Sequence, residues 1–162
     1  MIKPLILLAI IFHTLNLSAQ KTMKKDSPKY PVTKTEQEWK ALLSPMQYSV
    51  LREKATEQAF TGEFDLNFKK GAYFCAACNA KLFESDTKFD AHCGWPSFDQ
   101  AIKGTVLYKK DASFGMVRTE ILCAQCGGHL GHVFDDGPTK TGQRFCVNSA
   151  SLSFTPEQKK HL

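Results

Sequence analysis

The sequence predicts a mainly β fold: an antiparallel β core with two short helices added at its N-terminal end. Three observations carry this. The runs "GAYFCAAC", "KLFES", "GTVLYKKD", "FGMVRTEILCAQC", "HLGHVF" and "RFCVNSASLSF" are short, β-branched or aromatic, and alternate at period two. Gly, Asp, Asn and Pro separate them, as turns between antiparallel strands require. Two helix-start signals precede the first run and lie close together.

The elements follow in order. "MIKPLILLAIIFHTLNLSAQ" has a basic Lys3, an apolar run from Leu5 to Phe12 and a small-residue end at Ser18-Ala19. This is the layout of a secretory signal peptide over residues 1–19, with cleavage after Ala19. The expectation is an exported protein, periplasmic or secreted, and membrane-tethered if the segment stays attached. Residues 20–33, "QKTMKKDSPKYPVT", are polar, basic and proline-containing, and read as a flexible linker. The folded domain is expected over residues 34–156. Thr35 stands three before Glu38, a capping box that opens a short helix. Ser44, Pro45 and Gln47 repeat the device and predict a second helix from Pro45 to about Lys54. Trp39, Leu43, Tyr48 and Leu51 are the expected buried faces. The strands follow, and a polar tail closes the chain at 157–162.

With 162 residues the chain can bury one core. Hydrophobic residues make up 43% and charged residues 23%, which is ordinary for a globular protein. The net charge of +5 comes from scattered Lys and Arg, not from a basic stripe with interleaved aromatics, so no nucleic-acid partner is expected.

The chemistry lies in the six cysteines. Cys75 with Cys78, and Cys123 with Cys126, form two CxxC pairs inside a shared pattern, C-A-x-C-x-x-x-L. Four thiolates suit a closed tetrahedral zinc site, which is structural and stabilises the fold directly. The gap between the pairs exceeds that of an isolated zinc ribbon, so the intervening stretch has content of its own. Disulfides are the competing reading, because export permits them. Cys93 and Cys146 remain. Cys93 lies in a Gly- and Pro-containing loop, "FDAHCGWPSF". Cys146 lies in a strand run, where alternation puts Arg144, Cys146 and Asn148 on one face. A guanidinium favours the thiolate, and a carboxamide offers a donor and an acceptor to whatever the sulfur attacks. A buried strand cysteine packed as a small hydrophobe is the alternative. A plain bond between the two leftover cysteines is another. His129 and His132 can serve as general acids, as zinc ligands or as satisfied core histidines; with four cysteines filling the zinc site, ligation is the weaker alternative. Trp95, next to Cys93, can wall an apolar pocket or fill the core.

"CGWPSF", "CAQCGGHLGHVFDDGP" and "RFCVNSASLSF" closely resemble motifs of the type B methionine sulfoxide reductases. "LSPMQYSVLREKATEQAFTGEF" resembles that family's helical entry, so the likeness runs from about Thr35 to Phe154. The resemblance implies two antiparallel β-sheets with short N-terminal helices. It implies reduction of the R epimer of methionine sulfoxide in peptides and proteins. It makes Cys146 the nucleophile, His132 the proton donor and Cys93 the resolving thiol, joined to Cys146 in a disulfide that a thioredoxin-like reductant recycles. Trp95 would hold the substrate methyl group, with His129, Asp136, Arg144 and Asn148 as supporting polar residues. Cys75, Cys78, Cys123 and Cys126 match the zinc ligands of the metal-containing branch. A monomer without an organic cofactor is expected. Two positions depart from the pattern: Phe145 replaces a frequent tyrosine, and Ala91-His92 stands where Ser-Gly is common.

Other classes make different demands. A secreted zinc-ribbon binding module has no need of Cys93 or Cys146. A thiol–disulfide oxidoreductase that uses CxxC directly wants that pair at a helix start in a βαβ setting, whereas these pairs lie between predicted strands.

Overall fold

The computed structural model describes residues 30–158; the expected signal segment and most of the expected linker lie outside that range. Helix α1 spans Glu36–Leu42 and α2 spans Pro45–Glu53. Both start with the reciprocal capping box, Thr35 with Glu38 and Ser44 with Gln47. Each box satisfies two backbone donors that the first turn leaves open. Helix α2 ends on Lys54, in a left-handed conformation with φ 62°. Trp39, Leu43 and Leu51 are buried as expected, and so is Val50; Tyr48 is half-buried, with its hydroxyl donating to Glu36 at 2.9 Å.

Nine strands follow among the described residues: β1 Gly71–Cys75, β2 Lys81–Glu84, β3 Lys88–Phe89, β4 Ser97–Phe98, β5 Val106–Asp111, β6 Arg118–Cys123, β7 His129–Phe134, β8 Arg144–Val147 and β9 Leu152–Pro156. They form two antiparallel sheets, β2-β1-β9 and β3-β4-β8-β7-β6-β5. The core between them is aromatic. Phe83 stacks on Phe98 with ring centroids 4.3 Å apart, and Tyr73 meets Phe98 edge-on at 5.0 Å. Phe145 and Val147 point into this core, so the alternate residues Arg144 and Cys146 point to the opposite face of β8. Burial of each large apolar side chain contributes about 1.5–3 kcal/mol.

Two features depart from the sequence expectation. The run "RFCVNSASLSF" is not one strand. A 3-10 turn at Ser149–Ser151 carries the chain from β8 in the large sheet to β9 in the small one. The Glu57 carboxylate accepts hydrogen bonds from the Ser149 and Ala150 backbone N–H groups, at 2.5 and 2.9 Å, and closes that turn. The loop expected around Cys93 is clamped at its ends by β3 and β4, pairs too short to show as a period-two run.

The last residues assigned to the linker are packed. The Val32 N–H donates to the Gln125 carbonyl at 2.8 Å, and the Tyr30 ring lies on Gly127, where any side chain would collide with it. The second CxxC turn therefore holds the start of the domain. Beyond β9, the Glu157 N–H donates to the Lys70 carbonyl at 2.9 Å.

Candidate active site and metal centre

The two CxxC pairs form matching turns. Asn79 N–H donates to Cys75 C=O and Gly127 N–H to Cys123 C=O, each at 2.8 Å. Asn79 and Gly127 both take positive φ, 59° and 70°, as such turns require. Cys75 ends β1 of the small sheet and Cys123 ends β6 of the large one. The four sulfurs lie within 4.8 Å of one another, with Cys75–Cys126 at 3.7 Å and Cys78–Cys123 at 3.5 Å. A tetrahedral ion with bonds of about 2.3 Å sets its sulfurs about 3.8 Å apart, so the donor set fits a metal. Charge supports the fit. Hydrogen bonds from Cys126, Cys75 and Cys78 hold the Cys123 thiol far below its usual range, and that negative charge pushes Cys75 and Cys126 up. A divalent cation removes the obstacle to ionising all four.

The remaining two thiols meet elsewhere. Cys93 Sγ lies 4.0 Å from Cys146 Sγ, and both are free. Cys146 pairs across the sheet with Ser97 on one side and His132 on the other, and His132 pairs with Glu120. Directly opposed residues of an antiparallel pair share a face, so Glu120, His132, Cys146 and Ser97 form one polar row. Two residues three apart in a regular strand face opposite ways. His129 and His132 share the row's face because the pairing shifts between Ile121 and Leu122, a bulge that leaves Leu130 extra. Their ring centroids lie 5.5 Å apart.

Each histidine has its own carboxylate. His132 Nε2 lies 2.8 Å from Asp111 Oδ2, and Asp111 also accepts from Arg118 at 2.8 Å and from the Ser113 N–H at 2.9 Å. Hydrogen bonds from Ser113 and then His132 hold Asp111 well below the usual carboxylate range, so it is ionised. His132 Nε2 is then the protonated nitrogen, and Nδ1 is left as a base. Burial lowers the His132 pKa despite Asp111. His129 Nδ1 lies 2.8 Å from Glu120 Oε1, and Lys54 Nζ lies 2.7 Å from the same carboxylate. Burial opposes ionisation of Glu120, yet these two partners hold it down to about 2.

Cys146, His132, Trp95 and Asn148 line a pocket of about 110 Å³ together with Thr56, Arg118, Gly131, Phe134 and Val147. Gly131 admits no side chain because the Cys146 carbonyl lies against it. Trp95 is anchored by its indole N–H, which donates to Glu57 C=O at 3.3 Å. Asn148 lines the pocket but is not free. Its Oδ1 accepts from the Glu57 N–H at 3.0 Å and its Nδ2 donates to Leu130 C=O at 3.1 Å. The acceptor expected to face the substrate is thus spent on the scaffold. His129 sits deeper, beside Glu120. Arg144 and Asp136 lie to one side, joined by two hydrogen bonds of 2.8 Å, with the guanidinium 4.5 Å above the Phe134 ring. The Arg144 charge lowers the pKa of both Cys93 and Cys146. Between the thiols the stronger effect is mutual. A hydrogen bond from Cys146 holds Cys93 down to about 5, and contact with Cys93 pushes Cys146 up. The pair loses its first proton easily and its second reluctantly.

His92, the departure from the family pattern, takes the left-handed region with φ 51°, which a glycine adopts freely. Asp90 steadies it, accepting from its N–H at 2.8 Å and standing 3.1 Å from its ring. Asp111, Glu120, Lys54, Thr56, Arg118 and Glu57 escaped the sequence reading. None stands beside a cysteine or in a recognisable spacing; strand register brings in Asp111, Arg118 and Glu120, and the segment after α2 brings in Lys54, Thr56 and Glu57.

Residues 43–156 match the SelR domain family. A "Peptide methionine sulfoxide reductase MsrB" of Leptospira interrogans is 59% identical over 129 residues, covering 79% of this chain and 98% of the relative. The protein of that name from Bradyrhizobium diazoefficiens is 57% identical over 127 residues, 78% of this chain and 91% of its own. One from Methanosarcina barkeri is 53% identical over 129 residues, 79% and 91%. The chain belongs to the SelR family. The expected architecture, two antiparallel sheets with two short helices and a clustered set of four cysteines, is the one observed.

Proposed function

We propose that the protein reduces methionine-R-sulfoxide in peptides and proteins to methionine, repairing oxidised chains. One observation carries this. A free thiol, Cys146, lines a small pocket walled by Trp95, with an Asp-backed histidine as its cross-strand partner and a second free thiol 4.0 Å away. A non-catalytic zinc-ribbon module has no use for such a constellation. The relatives' printed names support the substrate class, and the likeness to type B motifs supports the R epimer.

The residues supply a balanced reaction. The sulfoxide methyl group lies against Trp95. His132 Nδ1 takes the Cys146 proton, and Asp111 eases that transfer by stabilising the imidazolium. The thiolate attacks the sulfoxide sulfur, and the imidazolium returns the proton to the oxygen. The oxygen passes to Cys146 as a sulfenic acid, and methionine leaves with two more electrons than it brought. The Cys93 thiolate then attacks the Cys146 sulfur, and hydroxide departs and is protonated to water. A disulfide remains, which a thioredoxin-like dithiol reduces. The sulfurs need to close by about 2 Å to bond.

The four-sulfur cluster is read as a structural zinc site. All four donors are thiols, three of them buried, and they leave no position for substrate. When bound, the ion would cross-link the two sheets. The chain supplies every residue of the site itself, which supports action as a monomer. The layout of residues 1–19 supports export, to the periplasm or beyond, with a membrane tether if the segment is retained. Among the described residues no helix is long and apolar enough to cross a membrane.

The test is to incubate the protein with separate R and S epimers of a sulfoxide peptide and dithiothreitol. Turnover of R alone is expected; reduction of neither, or of S, overturns the reading.

A further inference from the structure

The loop that carries Cys93 reaches two openings, one through Trp95 and one through Gly94, which the Phe60 ring covers. The substrate pocket, with Trp95, His132 and Phe134, is one. At the other lies the loop after α2, which turns apolar and outward there. Phe60 is 71% exposed, Leu66 68% and Phe68 52%. The Phe60 N–H donates to Gly94 C=O at 2.8 Å, and its ring covers Gly94, the residue after Cys93. Phe60 also takes φ 65°, a conformation that an aromatic residue adopts only under strain. Burial does not repay that strain, because the ring faces solvent. Phe60 and Leu66 line a groove of about 610 Å³ with Asp65, Phe154 and Pro156. Asp65 ties the groove to the thiols: its carboxyl is pushed up by burial and then by charge at Cys93.

We propose that this groove is the docking surface for the protein dithiol that reduces the Cys93–Cys146 disulfide, a surface separate from the substrate pocket. The inference rests on the thiol cycle proposed above. Its occupant follows from position. A protein dithiol must bring its attacking sulfur to the pair, and the surface around that sulfur then covers whatever flanks Cys93. On the groove side that is the Phe60 ring, which covers Gly94 next to Cys93 while the Phe60 N–H bonds the Gly94 carbonyl. The reductant's thiolate attacks Cys93 Sγ, and Cys146 leaves as a thiolate. The reductant's second thiolate then attacks the mixed disulfide and releases Cys93. The reductant departs as a disulfide, and two electrons and two protons remain on the pair. A small thiol needs no such surface.

The test compares the parent with a Phe60→Asn, Leu66→Ser double variant; asparagine tolerates the left-handed backbone at position 60. With a sulfoxide peptide and dithiothreitol, the variant is expected to match the parent, and it forms the Cys93–Cys146 disulfide at the same rate. With a bacterial thioredoxin as reductant, its KM for thioredoxin is expected to rise about tenfold. An unchanged KM for thioredoxin overturns the proposal. So does a rise in KM for an oxidised unfolded protein under dithiothreitol, which would give the groove to substrate. Loss of self-association present in the parent would give it to a second copy and also overturn it. Absence of peptide turnover by the parent with dithiothreitol would instead sink the enzymatic reading itself.

Discussion

The two groups of cysteines have nearly equal sulfur spacings and opposite fates. Cys75, Cys78, Cys123 and Cys126 approach to 3.5 and 3.7 Å, and Cys93 and Cys146 to 4.0 Å. In the first group two rigid turns, each closed by backbone hydrogen bonds, aim four sulfurs at one point. Ionising all four there would require a cation. In the second group a single negative charge is shared between two sulfurs and eased by Arg144. No cation is needed, and one sulfur faces a pocket. Distance between sulfurs therefore does not set a cysteine's task; charge balance and access do.

This contrast can be broken most directly by swapping one sulfur in each group. Cys123→Ser is expected to lose the folded state, because a zinc ion held by these four cysteines would contribute on the order of 10 kcal/mol or more to folding. Cys146→Ser is expected to melt within about 1 kcal/mol of the parent, yet lose about 10⁴-fold or more in R-sulfoxide turnover. Thermal unfolding and a turnover assay on both variants check this; a stable, metal-free Cys123→Ser protein would remove the structural role.

A smaller effect probes how charge is managed beside the Cys93–Cys146 pair. Asp111→Asn leaves His132 without the anion that stabilises its imidazolium. An expected loss of about 10²-fold in kcat, with KM nearly unchanged, is read from steady-state kinetics. An equal rise in KM with kcat intact would make Asp111 a substrate-binding residue instead.

The smallest expected effect concerns Glu120, buried between His129 and the exposed Lys54. The folded-state pKa of Glu120 is depressed, to about 2 from 4.5. Its stabilising contribution is therefore full above pH 4.5 and lost as pH falls toward 2. Glu120→Gln is expected to cost about 2 kcal/mol at pH 7 and to flatten the decline in stability through that window. Denaturant unfolding at several pH values measures both; a variant with the parent's acid profile would move the titration elsewhere.

Much of this was legible along the chain. The capping boxes at Thr35 and Ser44 depend on residues three apart, so local sequence sufficed to place both helices. The CxxC turns are equally local, and their repetition announced a four-sulfur centre. Alternation placed Arg144 and Cys146 on one face and Phe145 in the core. Motif resemblance supplied the substrate, which spacing could not.

Other assignments needed the third dimension. Asn148 follows Cys146 by two, as a site residue should, but its carboxamide binds Glu57 and Leu130, partners remote in sequence. His129 and His132 share a face only through a bulge, and a bulge is a property of two paired strands, not of one. Asp111 reaches His132 because β5 lies beside β6 and β6 beside β7. The sequence by itself determined which groups could do chemistry and where helices begin, since both depend on side-chain identity and short-range geometry. Only the tertiary structure decided which carboxylate serves which histidine and that Cys93 already stands 4.0 Å from Cys146. Those facts depend on strand register and loop clamping, long-range hydrogen bonding that no local pattern encodes.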